Sequence, residues 1–133
     1  MQKKRIAYID GSSVGMFGYL LNGMTVISRG KELTNNQAEW NALHLLLLHL
    51  RPHSSCKVYS DSMLVVNQFN DKWRIKDPSL LALYFACKEL VKRKHLKIEL
   101  VWIPREMNKF GKVLERELAR MRRERWRKEN SKN

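Results

Sequence analysis

The order of apolar runs predicts an α/β domain built on a mixed β-sheet. Three short β-rich runs come first, in hairpin order and ahead of any helical pattern. Two more follow, each after a helical segment, and an aspartate stands at the exit of two of the five. Strands that follow helices pair in parallel with the first strand through right-handed crossovers. Ligand sites in such sheets lie beyond the carboxyl ends of the parallel strands, which is where those aspartates fall.

The first run, Arg5 to Asp10, alternates β-formers and meets a turn at Gly11-Ser12-Ser13. Gly18 to Leu21 and Met24 to Ser28 flank Asn22-Gly23, a strong hairpin signal. Thr34-Asn35-Asn36 can cap a helix, with Gln37 placed for a capping box; the helix continues to about Leu50 and stops at Arg51-Pro52. Lys57 to Asp61 reads as a strand and Ser62 to Phe69 as a short helix. Residues 70–77 form a polar loop, and Pro78 opens a helix that runs to about Lys94. Lys97 to Ile103 is the last strand, closed by Pro104. A long helix from about Asn108 towards Lys128 carries one apolar stripe, Phe110, Leu114, Leu118 and Met121.

The 133 residues hold 26 Lys+Arg against 13 Asp+Glu, a net charge of +13, and 44% of them are apolar. This is the composition of one folded, basic domain. The excess is lopsided: residues 1–66 carry 7 basic and 4 acidic groups, residues 67–133 carry 19 and 9. Such asymmetry suits a polyanion, nucleic acid above all. The longest apolar stretches fall well short of the roughly 20 residues a spanning helix needs, so no membrane partner is expected. The charged start runs straight into a strand, Cys56 and Cys87 show no CxxC spacing, and the expected setting is the cytoplasm.

Asp10 and Asp61 come together if their strands are neighbours, and Glu39, one turn into the first helix, can point at the same place. Three converging carboxylates repel one another unless a cation neutralises them, and an all-oxygen donor set favours Mg²⁺ or Mn²⁺. A hard-cation site in a basic protein points to phosphoryl transfer on nucleic acid. Taken singly, each of the three could equally be a turn former or a solvated helix residue.

Four segments carry a resemblance: Tyr8-Ile9-Asp10-Gly11-Ser12-Ser13, Leu33-Thr34-Asn35-Asn36-Gln37-Ala38-Glu39-Trp40, Tyr59-Ser60-Asp61-Ser62 and Trp102-Ile103-Pro104-Arg105-Glu106-Met107-Asn108. In this order and spacing the chain resembles ribonuclease HI, in the short subgroup where Val66-Asn67-Gln68 and Trp73-Arg74-Ile75-Lys76 follow the third segment. The resemblance implies an RNase H-like fold, with a five-stranded mixed sheet in the order 3-2-1-4-5 flanked by helices. It also implies divalent-metal-dependent hydrolysis of the RNA strand of an RNA–DNA hybrid, with Asp10, Glu39 and Asp61 as catalytic residues and ligands of a two-ion site. The protein would then be a monomer whose partner is the hybrid.

Two positions depart from the family pattern. Its fourth carboxylate falls at Lys112, behind the small residue Gly111. An ammonium there would oppose a bound cation, since two like unit charges about 4 Å apart cost on the order of 4 kcal/mol at an effective dielectric of 20. One ion position is therefore expected to be weakened, with Glu115, one turn further on, the nearest replacement ligand. Met63 stands where the family often has a glutamine that contacts the hybrid. Two readings follow on one fold: a nuclease with a three-carboxylate core, or a protein that binds hybrid with impaired catalysis. A basic adaptor with structural carboxylates is a third.

For the substrate, Gly11, Ser12, Ser13, Asn35 and Asn36 are suited to a minor groove read through 2′-hydroxyls. Asn67 and Gln68 are placed to face the same groove. Trp73, beside Lys72, Arg74 and Lys76, has the aromatic and basic character of a backbone grip. Residues 105–133 hold 11 basic and 5 acidic side chains. The chain divides into a domain over residues 1–122 and a basic helical tail over 123–133, expected to touch the nucleic-acid backbone.

Overall fold

The computed structural model describes residues 4–131. It contains strands β1 (Arg5–Gly11), β2 (Met16–Leu21) and β3 (Met24–Arg29), helix α1 (Asn35–His49) and strand β4 (Ser55–Ser60). Helices α2 (Met63–Phe69) and α3 (Pro78–Arg93), strand β5 (Lys97–Trp102), a 3-10 turn (Arg105–Met107) and helix α4 (Lys109–Asn130) follow. The sheet order is β3-β2-β1-β4-β5, as the resemblance implies. The first two pairings are antiparallel, and β4 runs parallel to both β1 and β5.

Local chemistry sets the ends of these elements. Asn22 and Gly23 both adopt positive φ, the backbone a two-residue hairpin loop requires. Thr34 caps α1: its hydroxyl accepts from the Gln37 amide at 3.1 Å, while the Gln37 side chain accepts from the Thr34 amide at 3.0 Å. Asp77 caps α3 ahead of Pro78. Asn108, fully buried, caps α4 by accepting from Phe110 and Gly111 at 3.1 Å each, and donates to the Ile9 carbonyl of β1 at 2.9 Å.

Alternation along β1 divides the core. Ala7 and Ile9 face α1 and α3, whose Trp40, Leu43, Leu46, Leu47, Cys87 and Leu90 fill the larger core. Tyr8 faces the other way, into a smaller core with Met16, Phe110 and Leu114, against which Leu118 and Met121 also pack. The predicted α4 stripe is thus the one that seats the helix. The same alternation turns Asp10 towards α4 and Gly11 towards α1.

Gly11 is a paired strand residue and not part of the expected turn. A Cβ there would stand 2.4 Å from the Ala38 carbonyl carbon and 2.5 Å from the Glu39 nitrogen. The missing side chain lets the first turn of α1 lie directly on the end of β1. β2 begins two residues earlier than expected, because Gly15, at positive φ, turns the chain so that Met16 pairs with Arg29.

Candidate active site

Asp10, at the end of β1, Glu39, on the buried side of α1 one turn into the helix, and Asp61, just past β4, converge at the carboxyl ends of two adjacent parallel strands. One carboxylate oxygen of each lies within 4.8 Å of the others. They stand in a cleft of about 660 Å³, also lined by Gly11, Ser12, Ser13, Asn35, Asn36, Ser62, Arg105 and the α4 residues Gly111, Leu114, Glu115, Leu118 and Arg122.

The electrostatics are those of a buried carboxylate cluster that Arg105 offsets only in part. Burial pushes the Glu39 carboxyl far up from its ordinary value, reinforced by the Asp10 charge and by the hydrogen bond between the two groups. Burial likewise raises Asp10, with Asp61 adding to it, while the bond to Glu39 and the Arg105 guanidinium act in the opposite sense. Asp61 is raised by burial and, more weakly, by Glu115; Arg105 and the Asn108 amide pull it down. Glu39 is only 6% exposed and its Oε2 is a buried oxygen with no hydrogen-bond partner. An orphaned buried carboxylate oxygen costs on the order of 1–3 kcal/mol. Three carboxylates around it form the hard-oxygen set that suits a small divalent cation, so the residues present fit such an ion.

Of the residues expected at the substrate, Gly11, Ser12, Ser13, Asn35 and Asn36 share the carboxylates' cleft. Thr34 supplies the cap of α1, which leaves the Asn35 and Asn36 side chains available to the cleft. Asn67 is not among the cleft residues; its amide donates to the Met63 carbonyl within α2 at 2.7 Å. Gln68 does not face the groove: it is buried and accepts the Trp40 indole N–H at 3.0 Å, because helical spacing turns it inward. Trp73 lines a separate groove with Arg74, Ile75, Leu81 and Tyr84, while Lys76 is exposed outside both. Met63 is exposed.

Lys112 is exposed and does not line the cleft. Gly111 faces the carboxylates instead: a Cβ on it would sit 3.2 Å from Asp10 Oδ2. Glu115, four residues on, shares that face, and its carboxylate stands 3.9 Å from the Arg105 guanidinium. Arg105 and Asn108 also belong to the site, with roles that their local sequence does not reveal. The signal for Arg105 was its place just after a parallel strand. Asn108, fully buried, had none, because its contacts cross to β1.

Residues 20–117 match the family model described as reverse transcriptase-like. The chain belongs to this family, whose members here are of the ribonuclease H kind. This reverse transcriptase-like chain is 32% identical over 93 residues to the bifunctional protein Rv2228c of Mycobacterium tuberculosis, covering 65% of the chain and 25% of that protein. The same figures hold for the uncharacterized protein Mb2253c of Mycobacterium bovis. The chain therefore spans about a quarter of the length of the curated relatives it matches. Among solved structures, the N-terminal RNase H domain of Rv2228c superposes with TM-score 0.66 at 28% identity, covering 80% of this chain and 91% of that one. LC11-RNase H1 in complex with RNA/DNA hybrid gives TM-score 0.71 at 25% identity, with 84% and 93% covered. RNase H1 of Halobacterium salinarum gives 0.68 at 27%, with 80% and 89% covered. The five-stranded sheet with flanking helices is the RNase H fold.

Proposed function

We propose that this chain is an endonuclease that hydrolyses the RNA strand of RNA–DNA hybrids with a divalent ion, Mg²⁺ or Mn²⁺, held by Asp10, Glu39 and Asp61. The observation that carries this reading is the convergence of the three carboxylates within 4.8 Å at the ends of β1 and β4, one of them with a buried, unpartnered oxygen. When bound, the ion supplies polarisation of the scissile phosphate and a nucleophile at neutral pH. The carboxylates fix its position, and Asn108, by tying the start of α4 to β1, keeps Gly111 against Asp10. Ser12, Ser13, Asn35 and Asn36 offer donors and acceptors to 2′-hydroxyls along the cleft floor, which is how RNA is told from DNA. Arg105, on the cleft wall, is placed to pair with a backbone phosphate.

Glu115 is the remaining carboxylate on the cleft face of α4 and takes the place of the absent aspartate as the acidic group of the second ion position. Lys112, exposed away from the cleft, leaves the first position unopposed. The buried free thiols of Cys56 and Cys87 suit a reducing, cytoplasmic setting. The test is cleavage of a hybrid labelled on its RNA strand, with Mg²⁺ and with Mn²⁺. Cleavage that Asp10→Asn abolishes is expected; none above that variant with either ion overturns the reading and leaves a hybrid-binding protein.

A further inference from the structure

The last nine residues of α4 have no structural task in the fold. Packing of the helix ends at Met121, and from Arg122 to Asn130 every residue is exposed. These nine residues continue the helix by about 14 Å at 1.5 Å per residue. Five are basic and two acidic. Ion pairs along the helix, Arg120 to Glu124 and Arg125 to Glu129, each add modestly to its helical state. Among the described residues, Arg122 and Arg123 have no carboxylate at ion-pair distance.

Within this charged segment stands one large apolar side chain, Trp126, 64% exposed. Its position is not arbitrary. Gly111, Glu115, Leu118 and Arg122 follow one another at helical spacing along the cleft, and the same spacing continued brings Arg125 and Trp126, three and four beyond Arg122, to the two edges of that face. Arg123, three residues before the indole, flanks it. An exposed aromatic face between guanidinium groups, continuous with a cleft for a polyanion, matches how single strands are held: bases stack on the ring and cations follow the backbone. Paired bases within a duplex offer no free face to an indole, so the occupant is unpaired.

We propose that Trp126, with Arg122 and Arg123, is a stacking platform for unpaired nucleotides that continue from a hybrid held in the cleft. The inference rests on the hydrolase reading and specifies its substrate: hybrids bordered by a single-stranded segment. Fifteen residues separate Gly111, beside Asp10, from Trp126, about 22 Å along the helix. At about 3.4 Å per nucleotide, the unpaired segment begins some six or seven positions from the reacting phosphate.

The experiment compares a blunt hybrid with the same hybrid carrying an unpaired tail of about ten nucleotides, by fluorescence anisotropy in the Asp10→Asn background, which keeps the RNA intact. The tail is expected to tighten binding roughly five-fold or more. Trp126→Ala should bring the tailed-to-blunt ratio close to one, and Trp126→Phe should keep most of it. Circular dichroism of both variants checks that α4 remains helical. A ratio near one in the parent, or a ratio that Trp126→Ala leaves unchanged, overturns the inference while leaving the hydrolase reading standing. No cleavage by the unmutated chain and no binding of either hybrid overturns both. If Trp126→Ala leaves the ratio alone but releases the protein from phosphatidylserine-containing vesicles, the helix is a membrane contact and the inference falls.

Discussion

Asp10, Glu39 and Asp61 are costly to the protein without a cation, and the sign of that cost can be tested. All three carboxyl groups titrate above their ordinary values because burial disfavours the charged form. A folded-state pKa above the unfolded one contributes stability that is fully present below the unfolded pKa, near 4, and lost as pH rises through the folded value. In chelator, Glu39→Gln should therefore melt higher than the parent at pH 8 and lose most of that advantage at pH 4. Saturating Mn²⁺ should reverse the order at pH 8. Thermal denaturation under these three conditions checks both points; no dependence on pH would mean that the Glu39 carboxyl is not raised in the folded protein. A second residue-scale expectation concerns α4. If Glu115 serves the proposed second ion position, Glu115→Gln should lower the cleavage rate several-fold. Lys112→Ala should change the rate less than about two-fold, since an exposed charge outside the cleft is screened. A large gain on removing Lys112 would instead place its ammonium at the ions.

At the scale of elements, the site depends on two close contacts. α1 lies on the end of β1 at Gly11, and α4 is tied to β1 by Asn108. A methyl group at Gly11 would stand 2.4 Å from α1 backbone, which no side-chain rotation relieves. Gly11→Ala should destabilise the fold by roughly 1–3 kcal/mol, the usual cost of overpacking, and should weaken Mn²⁺ binding more than a distant mutation of equal cost. Chemical denaturation and a metal titration separate the two effects. Asn108→Ala removes a cap and a bond to β1 together, at a cost on the order of 2 kcal/mol. The hairpin at Asn22-Gly23, the Thr34 capping box, Pro78 and the α4 stripe are all legible locally, because each is a pattern of residues a few positions apart. The roles of Gly11 and Gln68 are not. Gly11 looked like a turn residue until a helix 27 positions later was laid on it, and Gln68 looked like surface until Trp40 was brought against it.

For the whole molecule, the net charge of +13 divides into a cleft, a fold and an arm. Arg105 and Arg122 line the cleft, and the cations from Arg123 to Lys128 stand on a stretch of α4 whose residues are all exposed. A chain ending at Arg122 should melt within a few degrees of the full chain, because the apolar stripe stops at Met121. Its hybrid affinity should depend less steeply on salt, since each lost phosphate contact removes about 0.9 from the slope of log K against log salt. Equal slopes would show that the arm beyond Arg122 touches no nucleic acid; a large fall in melting temperature would show that it belongs to the core.

The sequence alone determined the order of elements, the mixed sheet and the three carboxylates at strand and helix ends. Periodicity, turn chemistry and capping act over a few residues and are written in the chain itself. Only the tertiary structure decided which charge faces which. Lys112, which the resemblance implies at a ligand's place, is turned to solvent by helical geometry, and Gly111 and Glu115 are presented to the cleft. Arg105, in contrast, comes beside Asp10 and Asp61 because β5 is carried next to β4. Electrostatics depends on distance in space and on burial, and neither is set by separation along the chain.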